Sequence, residues 1–156
     1  GDVRVASNKT DSTVLLVDDY AHHPTEVAAT LSAAKSAWPE KRLVAVFQPH
    51  RYTRTRDLFE DFSQVLAECD VLLLTEVFAA GEDVIAGADG RALCASIRER
   101  GKVNPSFIED VESLDNDLRT IVRDGDLVLT MGAGSIGRIV SHLKSSLEGS
   151  ELEADG

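Results

Sequence analysis

The sequence predicts a single α/β domain, in which helices cover both faces of a mostly parallel sheet of about five to six strands. Two observations support this prediction. Short apolar runs alternate along the chain with segments of helical periodicity, which is the pattern of repeated βα units. The runs are also uninterrupted and rich in aliphatic residues, as expected of strands buried on both faces. A three-layer, Rossmann-like architecture follows.

The strands are predicted wherever such an apolar run is bounded by polar or turn-forming residues. The five runs are Thr13–Val17, Leu43–Phe47, Val71–Thr75, Ser106–Ile108 and Asp126–Thr130. An extra edge strand is predicted at Val3–Ser7, and the chain would turn back from it through residues 8–12.

The helices are predicted between the strands, from apolar residues spaced three and four apart. The first begins at Pro24, because proline suits the first helical position, and ends before Pro39. Glycines at helix ends are expected at Gly101, Gly125 and Gly149. The five apolar faces comprise Val27, Leu31, Ala34 and Trp38; Leu58, Phe59, Phe62, Val65 and Leu66; Leu93 and Ile97; Leu114, Leu118, Ile121 and Val122; and Ile136, Ile139, Val140, Leu143 and Leu147.

Composition limits the classes of function. The 156 residues suit one domain, 1–156, whose small acidic tail at 149–156 is expected to fray. A net charge of −11 argues against a nucleic-acid binder. No apolar stretch predicts a membrane span or a secretory signal, so a cytoplasmic location is expected. Cys69 and Cys94 fit neither metal-ligand spacing nor a disulfide framework and are expected to be reduced thiols.

Polar side chains are concentrated where the predicted strands end. Right-handed crossovers place the carboxyl ends of parallel strands on one edge, where open α/β sheets bind ligands. Asp19, Tyr20, His22 and His23 are predicted to lie in the turn between the first strand and the first helix. The other residues expected at this edge are Asp18, Gln48, His50, Arg51, Arg54, Glu76, Gly132, Gly134 and Ser135. His142 is expected on the surface of the last helix.

Positive charge gathers in one segment of this acidic chain. Arg51, Arg54 and Arg56 stand there beside His50. This local reversal of sign predicts a site for an anion.

Each of these patterns also has a purely structural interpretation. Asp18 and Asp19 could bind only helix amides or loop donors. The segment from His50 to Arg56 could be only the solvated start of a helix, and Tyr20 could be rim packing. His22 and His23 could bind a metal ion together with the aspartates, but adjacent residues direct their rings apart, so no metal site is predicted.

The segment GAGSIG, residues 132–137, matches the GxGxxG pattern of dinucleotide-binding turns. Its position weakens that interpretation. The pattern belongs to the first βα unit of such domains, whereas here it follows the last predicted strand. A tight turn that presents backbone amides to a carboxylate or phosphate is the simpler hypothesis.

Several motifs together resemble a known family. DDYAHHPTEV, VFQPHRYTRTRDL, EVFAAGE, GADGRAL and GAGSIG are similar, in this order, to the C-terminal domain of the Mur ligases, and most of all to the L-alanine-adding members. The resemblance spans roughly Val14 to Ile139. It implies an ATP-dependent, amide-forming enzyme of cytoplasmic peptidoglycan synthesis, whose third domain closes over an N-terminal UDP-sugar domain and a central ATPase domain.

The resemblance also implies substrates and roles. The substrates would be UDP-N-acetylmuramate, L-alanine and ATP, with ATP and Mg²⁺ held mainly by the central domain. Asp19 and Tyr20 would contact the ribose and base, and His22 or His23 would lie near the reacting centre. His50, Arg51 and Arg54 would hold anionic groups, and Gly132, Gly134 and Ser135 would help to hold the amino-acid carboxylate. The chain has no GxxxxGK[ST] phosphate loop, so it is expected to be inactive alone.

Three alternatives remain from the sequence. A ligase that recycles a murein tripeptide shares the aspartate and paired-histidine motif, although the segment FQPHRYTRT favours the alanine-adding members. A free-standing nucleotide-binding oxidoreductase module has only GAGSIG in its favour. A non-catalytic interaction domain would also lack a phosphate loop.

Overall fold

The computed structural model describes residues 2–6 and 13–141, and these contain one six-stranded sheet. Its order is β1-β2-β6-β3-β4-β5. The edge strand β1 is antiparallel to β2, and the other neighbouring pairs are parallel. The strands are β1 Asp2–Ala6, β2 Thr13–Asp19, β3 Leu43–Phe47, β4 Val71–Thr75, β5 Ser106–Ile108 and β6 Leu127–Met131.

Helices follow the parallel strands in chain order. They are α1 Pro24–Ala37, α2 Tyr52–Asp57, α3 Phe59–Leu66, α4 Gly90–Glu99 and α5 Leu114–Ile121. A short 3₁₀ turn at Val111–Ser113 precedes α5, and residues 136–141 begin a further helix, α6.

The helices lie on both faces of the sheet, as predicted. Alternate residues of β3 show this division, because Phe47 packs with α1, α3 and α4 while Val46 packs with α5 and α6. Two apolar cores result, one on each face of the sheet. The core under α1, α3 and α4 includes Val27, Phe47, Phe62, Leu74 and Leu93. The core under α5 and α6 includes Val46, Leu73, Leu114, Val128 and Ile136. Apolar residues on both sides explain why the strands are continuous apolar runs.

Strand β6 is the last strand in the sequence but lies between β2 and β3. The chain leaves β2 and β3 toward one face of the sheet and leaves β6 toward the other. Connections that diverge from adjacent strands leave a crevice at their carboxyl ends, which is where open α/β sheets bind ligands. The fold therefore provides a binding edge at the ends of β2, β6 and β3.

Several predicted boundaries need correction, and the edge strand β1 begins at Asp2 rather than at Val3. Strand β2 continues to Asp19, so the placement of Asp19 in the following turn was wrong; Asp18 and Asp19 pair in register with residues 130 and 131 of β6. Strand β6 begins at Leu127, because the Asp126 carboxylate accepts a hydrogen bond from Arg123 N at 2.8 Å and closes the preceding turn. The apolar face around Phe62 belongs to α3, which is preceded by a separate helix α2.

Several predicted features lie outside the described residues. They are Ser7, the turn at 8–12, the helix positions His142, Leu143 and Leu147, and the tail at 149–156 with Gly149.

Candidate active site

The β2–α1 turn is fixed by a capping box. His23 is the N-cap of α1, and its Nδ1 accepts a hydrogen bond from Thr25 N at 3.2 Å. Glu26 completes the box by accepting from His23 N at 3.1 Å. Backbone hydrogen bonds from His22 N and His23 N lower the pKa of the Glu26 carboxyl group. Because Nδ1 of His23 already accepts the hydrogen bond from Thr25 N, only Nε2 of the ring is available to a ligand.

Both aspartates of β2 make local hydrogen bonds. Asp19 accepts from Ala21 N at 2.8 Å and from the Thr30 hydroxyl at 3.4 Å, and Asp18 accepts from the Thr130 hydroxyl at 2.9 Å. A carboxylate has about four acceptor positions, so Asp19 keeps capacity for a further donor. Its bonds hold the turn that presents Tyr20, which is 71 % exposed.

Four aromatic rings form a row across the carboxyl edge of the sheet. Tyr20 and His22 have ring centroids 5.5 Å apart, His22 and His50 are 6.1 Å apart, and His50 stacks on Phe78 at 5.6 Å. These residues follow β2, β3 and β4, which are distant in the sequence. The structure thus places His22 and His50 beside each other at the edge where the sequence predicted that they would converge.

The hydrogen bonds of His50 define its tautomer. Arg54 Nη1 lies 3.1 Å from His50 Nδ1 and 3.3 Å from the His50 carbonyl oxygen. Because a guanidinium can only donate, Nδ1 is the acceptor and the proton is on Nε2. Burial lowers the pKa of His50, and Arg54, Arg51 and His22 lower it further, whereas Glu82 acts in the opposite direction. His50 is therefore a neutral donor through Nε2.

Arg51 has an unusual backbone conformation. It has φ 73° and ψ 135°, and its amide donates to the Phe78 carbonyl at 2.8 Å. Its exposed guanidinium makes no hydrogen bond or ion pair within the described residues. Arg56, in contrast, pairs with Asp57 at 2.9 Å. Arg51 is therefore the arginine of this segment whose guanidinium is available to a ligand, and it lies near Arg54, which contacts His50.

Gln48 organises the glycine-rich turn after β6. Its side chain is almost fully buried; Nε2 donates to Ser135 Oγ at 2.9 Å and Oε1 accepts from Ile136 N at 3.0 Å. A Cβ on Gly134 would lie 2.5 Å from Phe78 Cγ and 2.7 Å from Gln48 Oε1. Close packing thus accounts for this glycine without a bound dinucleotide, and one amide of the turn is already satisfied by Gln48.

Two carboxylates fix the loop between β4 and α4. Glu76 Oε1 accepts from Val77 N and from Gly90 N, each at 2.8 Å. Glu82 accepts from Thr53 N at 3.1 Å and from the Thr53 hydroxyl at 2.6 Å. Sequence reasoning did not assign roles to Glu82, Phe78 or Gln48, because each acts through a contact with a distant segment.

The rest of the described chain offers little competing chemistry. Residues 2–6 and 13–141 hold no group of three or more His, Cys, Asp or Glu that could bind a metal ion. A groove of about 480 Å³ lies between α1 and α3, away from the polar edge, and is lined by Leu31, Lys35 and Val65 among others. Burial raises the pKa of Cys69 to about 12 and that of Cys94 to about 11, so both thiols are unreactive. In the part that the structure describes, no helix is long and apolar enough to cross a membrane.

Solved structures of longer enzymes contain a similar domain. UDP-N-acetylmuramate-alanine ligase MurC from Thermotoga maritima superposes with a TM-score of 0.65 at 27 % identity, covering 91 % of this chain and 29 % of that one. A murein peptide ligase from Psychrobacter arcticus gives 0.63 at 21 % identity, covering 92 % and 29 %. MurF ligase from Thermotoga maritima, in complex with ADP, gives 0.56 at 20 % identity, covering 93 % and 30 %.

The chain thus spans less than a third of the length of each of these three relatives. The two structures with lower identity share its fold. A model of the family described as Mur ligase, glutamate ligase domain, matches residues 4–134, which is most of the sequence. The chain therefore belongs to the Mur ligase family and contains its glutamate ligase domain.

Proposed function

We propose that this domain is the closing domain of an ATP-dependent ligase that joins L-alanine to UDP-N-acetylmuramate through an acyl phosphate. The observation that carries the proposal is the meeting of His22, His50, Arg51 and Arg54 at one open edge of the sheet. The alanine ligase from Thermotoga maritima, at 27 % identity, supports this substrate over those of other members.

The arginines would act on developing negative charge. The reaction places charge on the phosphoryl oxygens and on the tetrahedral carbon formed when the amine attacks the acyl phosphate. Arg51 has a free guanidinium, and Arg54 can donate from the nitrogens that do not contact His50. Cations fixed at this point stabilise the transition state more than the ground state. Arg51 and Arg54 would therefore increase turnover as well as affinity.

The histidines would work beside this charge. His50 donates through Nε2, and His22 lies next to it with a ring-centroid distance of 6.1 Å. We assign His22 to the reacting centre; His23, whose Nδ1 caps α1, would reach it only through Nε2. Gly132, Gly134 and Ser135 would border the site for the amino-acid carboxylate, with the amides that Gln48 leaves available.

Nucleotide and metal would be shared with other domains of a longer protein. The exposed Tyr20 ring offers a face for the base, and Asp19 keeps acceptor positions for the ribose. This chain has no phosphate loop, so a central ATPase domain would hold most of the ATP and Mg²⁺, which supply the phosphoryl group. An N-terminal domain would bind the UDP-sugar.

Closure would complete the site. The polar edge is open in this domain, and hinge closure over the other two domains would exclude water and align the amine with the acyl phosphate. The domain would then be inactive alone. An ATP-consuming reaction of this kind belongs in the cytoplasm.

The test is phosphate release by the full-length protein that carries this domain, with ATP, Mg²⁺ and UDP-N-acetylmuramate. L-alanine is compared with the murein tripeptide as the acceptor. Release that depends on L-alanine is the expected result. Release only with the tripeptide would assign the chain to the recycling ligases. Release with neither acceptor, combined with binding of NAD or NADP, would replace the proposal with an oxidoreductase module.

A further inference from the structure

We propose that Glu82 is a positioning residue, which holds Arg51 and Arg54 in the geometry that binds an anion. The inference rests on the proposed function, since it assigns a task in the same site to the loop between β4 and α4. It also accounts for the motif EVFAAGE, to which the proposed roles assign no residue.

Helix α2 does not cap itself. Its N-cap is Arg51, which makes no side-chain capping bond, and the helix is only six residues long. The first amides of a helix have no partner within the helix and need an external acceptor. Glu82 supplies it by accepting from Thr53 N at 3.1 Å, while its second oxygen accepts from the Thr53 hydroxyl at 2.6 Å. A carboxylate from a distant loop therefore determines where α2 begins.

The same loop holds the strained residue that precedes α2. Phe78 N donates to the Pro49 carbonyl at 2.8 Å, and Arg51 N donates to the Phe78 carbonyl at 2.8 Å. The Phe78 ring stacks on His50. A non-glycine residue at positive φ persists only when its surroundings fix it. Phe78 holds Arg51 through the hydrogen bond to the Arg51 amide. Glu82 holds the first turn of α2, which follows Arg51, through its bonds to Thr53.

The bonds of Glu82 to Thr53 also keep its carboxylate from pairing directly with the arginines. Both carboxylate oxygens are used by Thr53, and these bonds lower the pKa of Glu82, with a smaller contribution from Arg51. Glu82 forms no ion pair with Arg51 or Arg54 in the described chain. The carboxylate can thus orient the arginines and leave their guanidinium groups available to a ligand.

The base of the loop is rigid, which makes Glu82 an effective support. Glu76 ties Val77 to Gly90 through one carboxylate oxygen. A Cβ on Gly90 would lie 2.6 Å from the Phe107 ring and 2.8 Å from the Thr75 carbonyl oxygen, so the end of the loop is tightly packed. The loop is therefore anchored at its two ends and braced against α2 in between.

The first test compares three variants of the full-length enzyme. Glu82→Ala removes both bonds to Thr53, and Glu82→Gln keeps an acceptor for Thr53 N and a donor for the hydroxyl. Asp83→Ala is the control, because this exposed neighbour carries the same charge and makes no hydrogen bond or ion pair within the described residues.

We expect Glu82→Ala to raise KM about tenfold for at least one of ATP, UDP-N-acetylmuramate and L-alanine. Glu82→Gln should stay within about threefold of the wild type, and Asp83→Ala should match it. A purely structural role would reduce the active fraction, and hence the apparent kcat, without changing KM. Unchanged KM values in Glu82→Ala, or a Glu82→Gln variant as impaired as Glu82→Ala, would overturn the inference.

A second test does not depend on the ligase reaction. Inorganic pyrophosphate is titrated into the 156-residue chain while the Nε–Hε resonances of Arg51 and Arg54 are followed by NMR. Saturable shifts are expected in the wild type and in Asp83→Ala, with at least threefold weaker binding in Glu82→Ala. Equal binding in Glu82→Ala, or no saturable shift in the wild type, would overturn the inference. An inactive full-length enzyme would instead overturn the proposed function and leave this titration valid.

Discussion

Replacing the buried Gln48 by alanine should destabilise the domain more than replacing an exposed glutamine by alanine. The change removes the bonds to Ser135 Oγ and Ile136 N, and the Ile136 amide loses its partner in a buried position. The lost bond to Ser135 Oγ is worth about 1 kcal/mol net, and the buried Ile136 amide left without a partner costs about 1–3 kcal/mol. The free energy of unfolding should therefore fall by about 2–4 kcal/mol. For a domain of this size, that corresponds to a fall in Tm of roughly 5–15 °C.

The measurement is urea unfolding of the wild-type domain and the variant, followed by circular dichroism. Gln64→Ala is the matched control, because Gln64 is exposed on α3 and should change the unfolding free energy by less than about 0.5 kcal/mol. Ser135→Ala separates the two bonds, since it removes only the acceptor of Gln48 Nε2 and leaves the bond from Ile136 N in place. A loss below about 1 kcal/mol in Gln48→Ala would refute the conclusion that this amide holds the turn.

Three further predictions concern the arginines, a glycine and a histidine. In the full-length enzyme, Arg51→Ala or Arg54→Ala should lower turnover at least about tenfold while circular dichroism shows a folded domain; unchanged turnover in both would exclude the anion role. Gly134→Ala should cost about 1–3 kcal/mol in urea unfolding because no space exists for its Cβ, whereas Gly137→Ala, with open space, should not destabilise. The lowered pKa of His50 means that its contribution to stability is complete above the unfolded pKa of about 6.5 and is lost as pH falls toward the folded pKa. His50→Gln should accordingly flatten the pH dependence of unfolding below about pH 6.5, and an unchanged slope would contradict the lowered pKa.

The fold could be predicted because its strands are apolar on both faces. Runs such as Leu43–Phe47 are visible without any tertiary information. The end of β2 could not be placed, because Asp18 and Asp19 are polar and join the strand only through pairing with β6. The division between α2 and α3 was equally invisible, since Leu58 is apolar and helix-forming by type yet has φ −118° and ψ 23°.

The candidate site could be predicted as one edge of the sheet on which polar residues converge, but not as a set of contacts between them. Polar residues after β2 and β3 were recognised, since the carboxyl edge follows from topology alone. The partners of those residues were missed because they depend on contacts across the sheet, as in Gln48 with Ile136 and Glu82 with Thr53. The capping role of His23 was missed because histidine is not among the residues that usually cap helices.

The central position of β6 has a consequence for how the chain folds. Strands β2 and β3 do not contact each other, and both pair with β6, which is the last of the six strands to be synthesised. Until residue 131 has left the ribosome, two apolar strands present unpaired central edges, and such edges are templates for aggregation. Closing the sheet also requires contacts separated by more than 80 residues, as between Leu43 and Leu127, and long-range parallel pairing is slow. Synthesis of this domain therefore includes an interval in which the incomplete sheet is exposed to aggregation.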